Sequence, residues 1–114
     1  MTDDAVRTID REELRQKLER HEGVKLVMSL SDWDFKRKRI PGSLHFDTDA
    51  AMLGALGKND EIVVYCSNPP CRRSIASYHL LKDHGFTNVR RYAGGVADWE
   101  EAGLPLEGSW IEGG

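Results

Sequence analysis

The sequence predicts an α/β fold, a three-layer sandwich with a mainly parallel central sheet. Short apolar runs alternate with amphipathic stretches along the chain, the order that parallel strands joined by helical crossovers produce. The run Ile62–Tyr65 is continuous, β-branched and without alternation, which is typical of a strand buried on both faces. A chain of 114 residues is expected to form one domain over 1–114, with a core over about 7–106 and a loosely attached C-terminal tail.

Capping residues mark the helices of the first half. Asp10 is expected to cap the first helix and Ser31 a second, short one, while Asp47 or Asp49 is expected to cap a third. The remaining elements are predicted in chain order: strands at 24–28, Leu44–Phe46 and 89–92, a helix carrying Ile75 to Lys82 and closed by Gly85, and a last helix at 96–102.

Composition excludes several classes of function. With Lys+Arg at 16 and Asp+Glu at 19, the net charge of −3 does not suit a dedicated nucleic-acid binder. No run approaches the roughly 18 apolar residues of a membrane helix, and the first residues carry no apolar segment, so we expect neither a signal nor a transit peptide. The expected compartment is the cytoplasm, where two thiols are chemical more often than structural. The oligomeric state stays open.

Cys66 is the candidate nucleophile. It ends the buried strand and precedes a helix, at the edge of the sheet where ligands of parallel sheets bind. The loop N–H groups, the start of the helix, and Arg72 with Arg73 would all favour the thiolate and an anionic substrate. The alternative is a buried, inert cysteine at a strand end. Three further loop residues are expected to contact the anion: Ser67, Asn68 and Cys71.

Four motifs stand in the order typical of one family. The segment 62–74 (IVVYCSNPPCRRS) resembles the active-site strand, loop and helix start of the rhodanese superfamily, and 39–43, 85–89 and 94–105 resemble its flanking motifs. The resemblance implies a single-domain sulfurtransferase without a cofactor. Cys66 would take a sulfane sulfur from a small anionic donor, such as thiosulfate or 3-mercaptopyruvate, as a persulfide. It would pass that sulfur to cyanide or a thiol, with an acidic or sulfur-carrier protein as a candidate partner.

The loop is one residue longer than in the usual sulfurtransferase. Cys71 stands five residues after Cys66, where the family has arginine, and Arg72 stands at six. That spacing resembles rhodanese-fold phosphatases and arsenate reductases, which stay as alternatives. Pro69 and Pro70 lack N–H donors for an oxyanion, which favours sulfur transfer.

A non-enzymatic sulfur-relay or redox module is a third alternative. It is favoured by Met28-Ser29-Leu30, which occupies the place of the family's Asp-x-Arg.

Two residues near the loop have open roles. Cys71 is a candidate resolving thiol that would close a disulfide with Cys66, which requires Cα atoms within roughly 7 Å. The alternative for Cys71 is a small residue in the first helical turn. Arg39 replaces the family's usual histidine and is a candidate rim cation, although the basic run 36–39 also fits a solvated helix face.

The other chemistry-bearing residues are assigned structural roles. Ser74 is expected to cap its helix, with donation to the loop as the alternative, and Trp33 and Trp99 are expected to fill the core. His79 and His84, five residues apart, would lie roughly 140° apart around a helix, so they cannot complete a zinc site with the cysteines. No metal site is predicted.

Overall fold

The computed structural model describes residues 6–67 and 71–110. Five helices and three strands lie in these ranges: α1 Arg11–Glu19, β1 Lys25–Met28, α2 Asp32–Arg37, α3 Asp49–Ala55, β2 Ile62–Tyr65, α4 Arg73–Asp83, β3 Val89–Arg91 and α5 Gly95–Glu101. Within the described ranges, none of these helices has the length and apolar character needed to cross a membrane.

The central sheet is parallel, as predicted. Its order is β1-β2-β3, and β2 lies in the centre with all four residues buried. Isolated parallel bridges widen both edges, Leu44 beside Val27 and Thr8 beside Arg91. The strand predicted at Leu44–Phe46 is therefore reduced to a single bridge. Because the strands are parallel, their carboxyl ends meet at one edge, where Cys66 follows β2.

Helices cover both faces of the sheet, which confirms the predicted fold class. Successive side chains of a strand point to opposite faces, so β2 divides its residues between two apolar clusters. Tyr65 joins the first cluster with Leu14 of α1 and Trp99 of α5. Val64 joins the second, whose helical members come from α3 and α4: Met52, Tyr78 and Leu81.

The predicted caps of the first two helices are confirmed. The side chain of Asp10 accepts a hydrogen bond from the Glu13 N–H, and that of Ser31 accepts one from the Asp34 N–H. The third prediction is wrong, because Thr48 caps α3 through the Ala51 N–H at 3.0 Å. Thr48 has the extended backbone of an N-cap, whereas Asp49 lies in the first turn, where its charge favours the helix dipole.

The C-terminal segment after α5 is tied to the domain, so the expectation of a loose tail is wrong up to Trp110. The backbones of Arg39 and Glu107 exchange two hydrogen bonds of 2.9 Å, and the Trp110 N–H donates to the Arg37 carbonyl at 3.0 Å. At Gly108, with φ +132°, a Cβ atom would clash with the Arg37 carbonyl. The C-terminal segment thus packs against the end of α2 and the residues that follow it.

Of the two tryptophans assigned to the core, Trp99 is buried and Trp33 is not. Trp33 is 64% exposed, and α2 has no fully buried residue. Its ring lies edge-on to Trp110, and the guanidinium of Arg37 lies 3.4 Å from its centre. This cation–π contact gives the ring a partner on the surface instead of in the core.

Candidate active site

Two backbone N–H groups at the N-terminus of α5 bind the carbonyls of Cys66 and Ser67. The Val96 N–H donates to the Cys66 carbonyl at 3.0 Å, and the Ala97 N–H donates to the Ser67 carbonyl at 2.8 Å. Gly95, with φ +64°, lets the chain turn sharply from β3 into α5 and aim these donors at the loop. Cys66 and Ser67 are therefore fixed by the scaffold and not only by their own loop.

Cys66 and Cys71 are joined by a disulfide, with Cα atoms 6.4 Å apart. This distance lies in the ordinary disulfide range. The expectation of two free thiols is thus corrected: both sulfurs are paired in this structure. Cys66 is 1% exposed and Cys71 is partly buried. The intervening residues, 68–70, lie outside the described part of the chain. The predicted anion contact of Asn68 and the predicted effect of the two prolines fall on these residues and stay predictions.

Ser74 contacts the sulfur of Cys66. Its Oγ lies 3.3 Å from the Cys66 Sγ and accepts a hydrogen bond from the Nε of Arg91 at 2.8 Å. Because the oxygen accepts from Arg91, its own proton is free to point toward the sulfur. The expectation that Ser74 caps α4 is wrong: Arg72 occupies that position without a side-chain cap, and Ser74 is fully buried in the first turn. The contact with Cys66 agrees instead with the alternative role of Ser74 at the loop.

Arg91 is a site residue that the sequence prediction missed. It ends β3, is 8% exposed, and donates from Nη2 to the Cys71 carbonyl at 3.0 Å. Burial lowers the pKa of its guanidinium, which stays cationic because arginine titrates far above neutral pH. The sequence carries a signal for this position, because the alternation of a strand puts Arg91 on the same face as the buried Val89. Arg90 points to the other face, where it binds Glu13 and Glu61.

The two predicted anion-binding arginines lie on the surface. Arg72 and Arg73 are exposed, and within the described ranges neither has a hydrogen bond or ion pair to Cys66. Arg73 lines a cavity of about 390 Å³ between the end of β1, α3 and α4, together with Ser29 and Ser77, whose hydroxyls lie 2.9 Å apart. Arg91 is linked to the Cys66 sulfur through Ser74, and a role of Arg72 and Arg73 in anion binding stays a prediction.

Arg39 is bound to the C-terminal segment. Its Nε donates to Glu107 at 3.1 Å and its Nη1 to the Phe35 carbonyl at 3.1 Å. The other members of the basic run also have carboxylate partners: Asp32 for Lys36, Asp34 for Arg37 and Glu100 for Lys38. These pairs favour the structural interpretation of the run, and the rim role of Arg39 stays a prediction.

One group of potential metal ligands occurs among the described residues, away from the cysteines. The side chains of Asp32, His45 and Asp47 offer ligand atoms within 4.8 Å of one another. Asp32 already binds the ammonium group of Lys36 at 2.9 Å, and the Asp47 side chain is 86% exposed. This group fits a surface ion-pair cluster.

The paired Cys66 thus lies at the carboxyl edge of a parallel sheet, with a helix start and the buried cation Arg91 beside it. The chain belongs to the Rhodanese-like domain family, whose model matches residues 10–102.

Similar proteins include the Bacillus subtilis (strain 168) protein named "Putative sulfur carrier protein YrkF", 28% identical over 93 residues. The match covers 80% of this chain and 49% of that protein, so the chain spans about half the length of this curated relative.

Solved structures share the fold. The Rhodanese-like domain of the Anabaena sp. Alr3790 protein is 24% identical with a TM-score of 0.80, and the match covers 94% of this chain and 83% of that one. The Human Single Domain Sulfurtransferase TSTD1 is also 24% identical, with a TM-score of 0.71 over 85% of this chain and 97% of that one.

Proposed function

We propose that the chain is a sulfurtransferase that carries sulfane sulfur as a persulfide on Cys66. The observation that carries the proposal is the contact of Cys66 Sγ with Ser74 Oγ, which in turn accepts from the buried Arg91. A hydroxyl donor backed by a cation stabilises an anionic sulfur, and both the thiolate and the persulfide are anionic. Membership in the Rhodanese-like domain family supports the same chemistry.

The transfer has two steps on the reduced protein. The Cys66 thiolate attacks the outer sulfur of a donor such as thiosulfate, a new S–S bond forms, and sulfite leaves with the electron pair of the broken bond. An acceptor, cyanide or a thiol, then attacks the outer sulfur of the persulfide, and the Cys66 thiolate leaves. In both steps the Ser74 hydroxyl donates to the cysteine sulfur when it is negatively charged, and Arg91 orients that hydroxyl.

A protein thiol is included among the acceptors. The name of the Bacillus subtilis relative supports a relay of sulfur between proteins, and our chain matches about half of that protein. On this proposal thiosulfate and 3-mercaptopyruvate are test donors, and the natural acceptor is a thiol delivered to the loop at the carboxyl edge of the sheet.

A phosphatase or arsenate reductase is the second candidate, favoured by the position of Arg72 six residues after Cys66. An oxyanion at the loop would need that arginine beside the nucleophile. Arg72 is exposed, and the part of the chain that the structure describes shows no hydrogen bond between it and Cys66. The geometry therefore supports sulfur transfer better than phosphoryl transfer or arsenate reduction.

The test is thiocyanate formation from cyanide with thiosulfate or 3-mercaptopyruvate as donor. The wild-type chain, kept reduced with a dithiol, is compared with Cys66→Ser and with Arg90→Gln, a matched control from the neighbouring strand position. We expect turnover in the wild type and the control and none in Cys66→Ser. Hydrolysis of an aryl phosphate or reduction of arsenate, without any transfer of sulfur, would contradict the proposal and favour the second candidate.

A further inference from the structure

We propose that Cys71 resolves the Cys66 persulfide within the same chain, releasing hydrosulfide and leaving the Cys66–Cys71 disulfide that the structure contains. The inference rests on the proposed function for the persulfide itself. It adds a second activity at the same site, the dithiol-dependent reduction of sulfane sulfur to hydrosulfide.

The two cysteines are held at bonding distance by contacts other than the disulfide. The Cys66 carbonyl is bound by the Val96 N–H, and the Cys71 carbonyl is bound by Arg91. Arg91 also contacts Ser74, which touches the Cys66 sulfur, so one buried side chain braces both cysteines. With Cα atoms 6.4 Å apart on this scaffold, the attack requires no rearrangement of the sheet.

The step balances without a further oxidant. The Cys71 thiolate attacks the Sγ of Cys66, an Sγ–Sγ bond forms, and the bond from Cys66 Sγ to the outer sulfur breaks. The outer sulfur leaves with that electron pair, takes one proton and departs as hydrosulfide. Two cysteine thiols are thereby oxidised to a disulfide while the sulfane sulfur is reduced by two electrons. An external dithiol then reduces the disulfide and restores both thiols.

Proximity favours the internal thiol over thiols in solution. The Cα atoms of Cys66 and Cys71 lie 6.4 Å apart, within the disulfide range. A thiol already positioned beside its target reacts with a large effective concentration. The oxidised chain has no thiolate with which to accept sulfur, so each cycle of this second activity ends with reduction of the disulfide.

A single-turnover experiment tests the inference. Chain reduced by a dithiol is freed of reductant and mixed with one equivalent of thiosulfate, and hydrosulfide and intact mass are followed together. We expect the wild type to release one hydrosulfide per chain and to lose the mass of two hydrogens. Cys71→Ser, with Cys71→Ala as a second variant, should instead gain one sulfur and release hydrosulfide at least about tenfold more slowly.

The outcomes separate this inference from the proposed function. If Cys71→Ser gains a sulfur and the wild type also keeps its sulfur without releasing hydrosulfide, the resolving role is refuted and the persulfide carrier stands. If the wild type and both Cys71 variants neither gain sulfur nor release hydrosulfide, the proposed function fails, and this inference fails with it. A wild-type disulfide that forms without an equivalent of hydrosulfide also refutes the resolving role.

Discussion

Replacing Arg91 with glutamine should slow the reaction of Cys66 with an alkylating agent about tenfold. Arg91 is the buried cation of the site and donates to Ser74 Oγ at 2.8 Å, and that oxygen lies 3.3 Å from the Cys66 sulfur. Glutamine keeps a hydrogen-bond donor and removes the charge. The variant therefore isolates the electrostatic contribution of Arg91 to the thiolate.

The expected tenfold change in alkylation rate follows from these two contacts. They put the Arg91 Nε no farther than about 6 Å from the Cys66 sulfur, where a unit charge at an effective dielectric constant of about 20 is worth about 3 kcal/mol. That free energy corresponds to about a hundredfold in the ratio of thiolate to thiol. A thiolate that is less stabilised is also more nucleophilic, which offsets about half of the effect in logarithmic units and leaves about tenfold in rate.

The assay is alkylation by iodoacetamide at neutral pH, followed by intact mass. It is run in a Cys71→Ser background so that Cys66 is the reacting thiol. Arg90→Gln is the matched control, because Arg90 lies next to Arg91 on β3 and its side chain binds Glu13 and Glu61. Thermal unfolding establishes that each variant is folded at the assay temperature. Equal alkylation rates for Arg91→Gln and Arg90→Gln would refute the electrostatic reasoning.

Three further predictions concern residues beside or beneath the loop. Ser74→Ala should slow alkylation of Cys66 and lower the free energy of unfolding by about 1–3 kcal/mol, because Arg91 loses a buried acceptor; an unchanged alkylation rate would contradict the contact. Reducing the disulfide, which closes a loop with a sequence separation of 5, should lower the free energy of unfolding by about 2 kcal/mol in urea titrations; Cys71→Ser, measured with and without a dithiol, should show no such difference. Burial raises the pKa of Tyr65 to about 12, above about 10 in the unfolded chain. The stability from its neutral hydroxyl should therefore be complete below pH about 10 and lost as pH rises through about 12. Tyr65→Phe should weaken that alkaline loss and cost about 1–3 kcal/mol at neutral pH, because the Ile40 N–H loses its partner; an alkaline loss unchanged in Tyr65→Phe would refute the assignment.

The fold could be predicted from the sequence because its signals are local. The continuous apolar run of β2 indicates a buried parallel strand, and the side chains of Asp10 and Ser31 cap the helices they precede. The same local reasoning gave wrong predictions where long-range contacts determine the position of a residue. Trp33 lies on the surface, where its ring contacts Arg37 and Trp110, and no short-range pattern encodes the return of the C-terminal segment to α2.

The candidate site was predicted in part. The position of Cys66 after a central strand follows from strand order alone, since the carboxyl ends of parallel strands meet at one edge. Arg91 was missed because two adjacent arginines on a predicted strand suggest solvent, although strand periodicity sets Arg91 on the face of the buried Val89 and thus toward Ser74. Arg72 and Arg73 were favoured as anion ligands by nearness in sequence, which does not determine the direction of an exposed side chain.

The most direct test of the account is the intact mass of reduced Cys71→Ser after exposure to thiosulfate or 3-mercaptopyruvate. The account predicts a gain of one sulfur atom that is reversed by cyanide or a reductant and is absent when Cys66→Ser is added. A chain that stays at its original mass with both donors, while its Cys66 is alkylated normally, would contradict the claim that Cys66 carries sulfane sulfur.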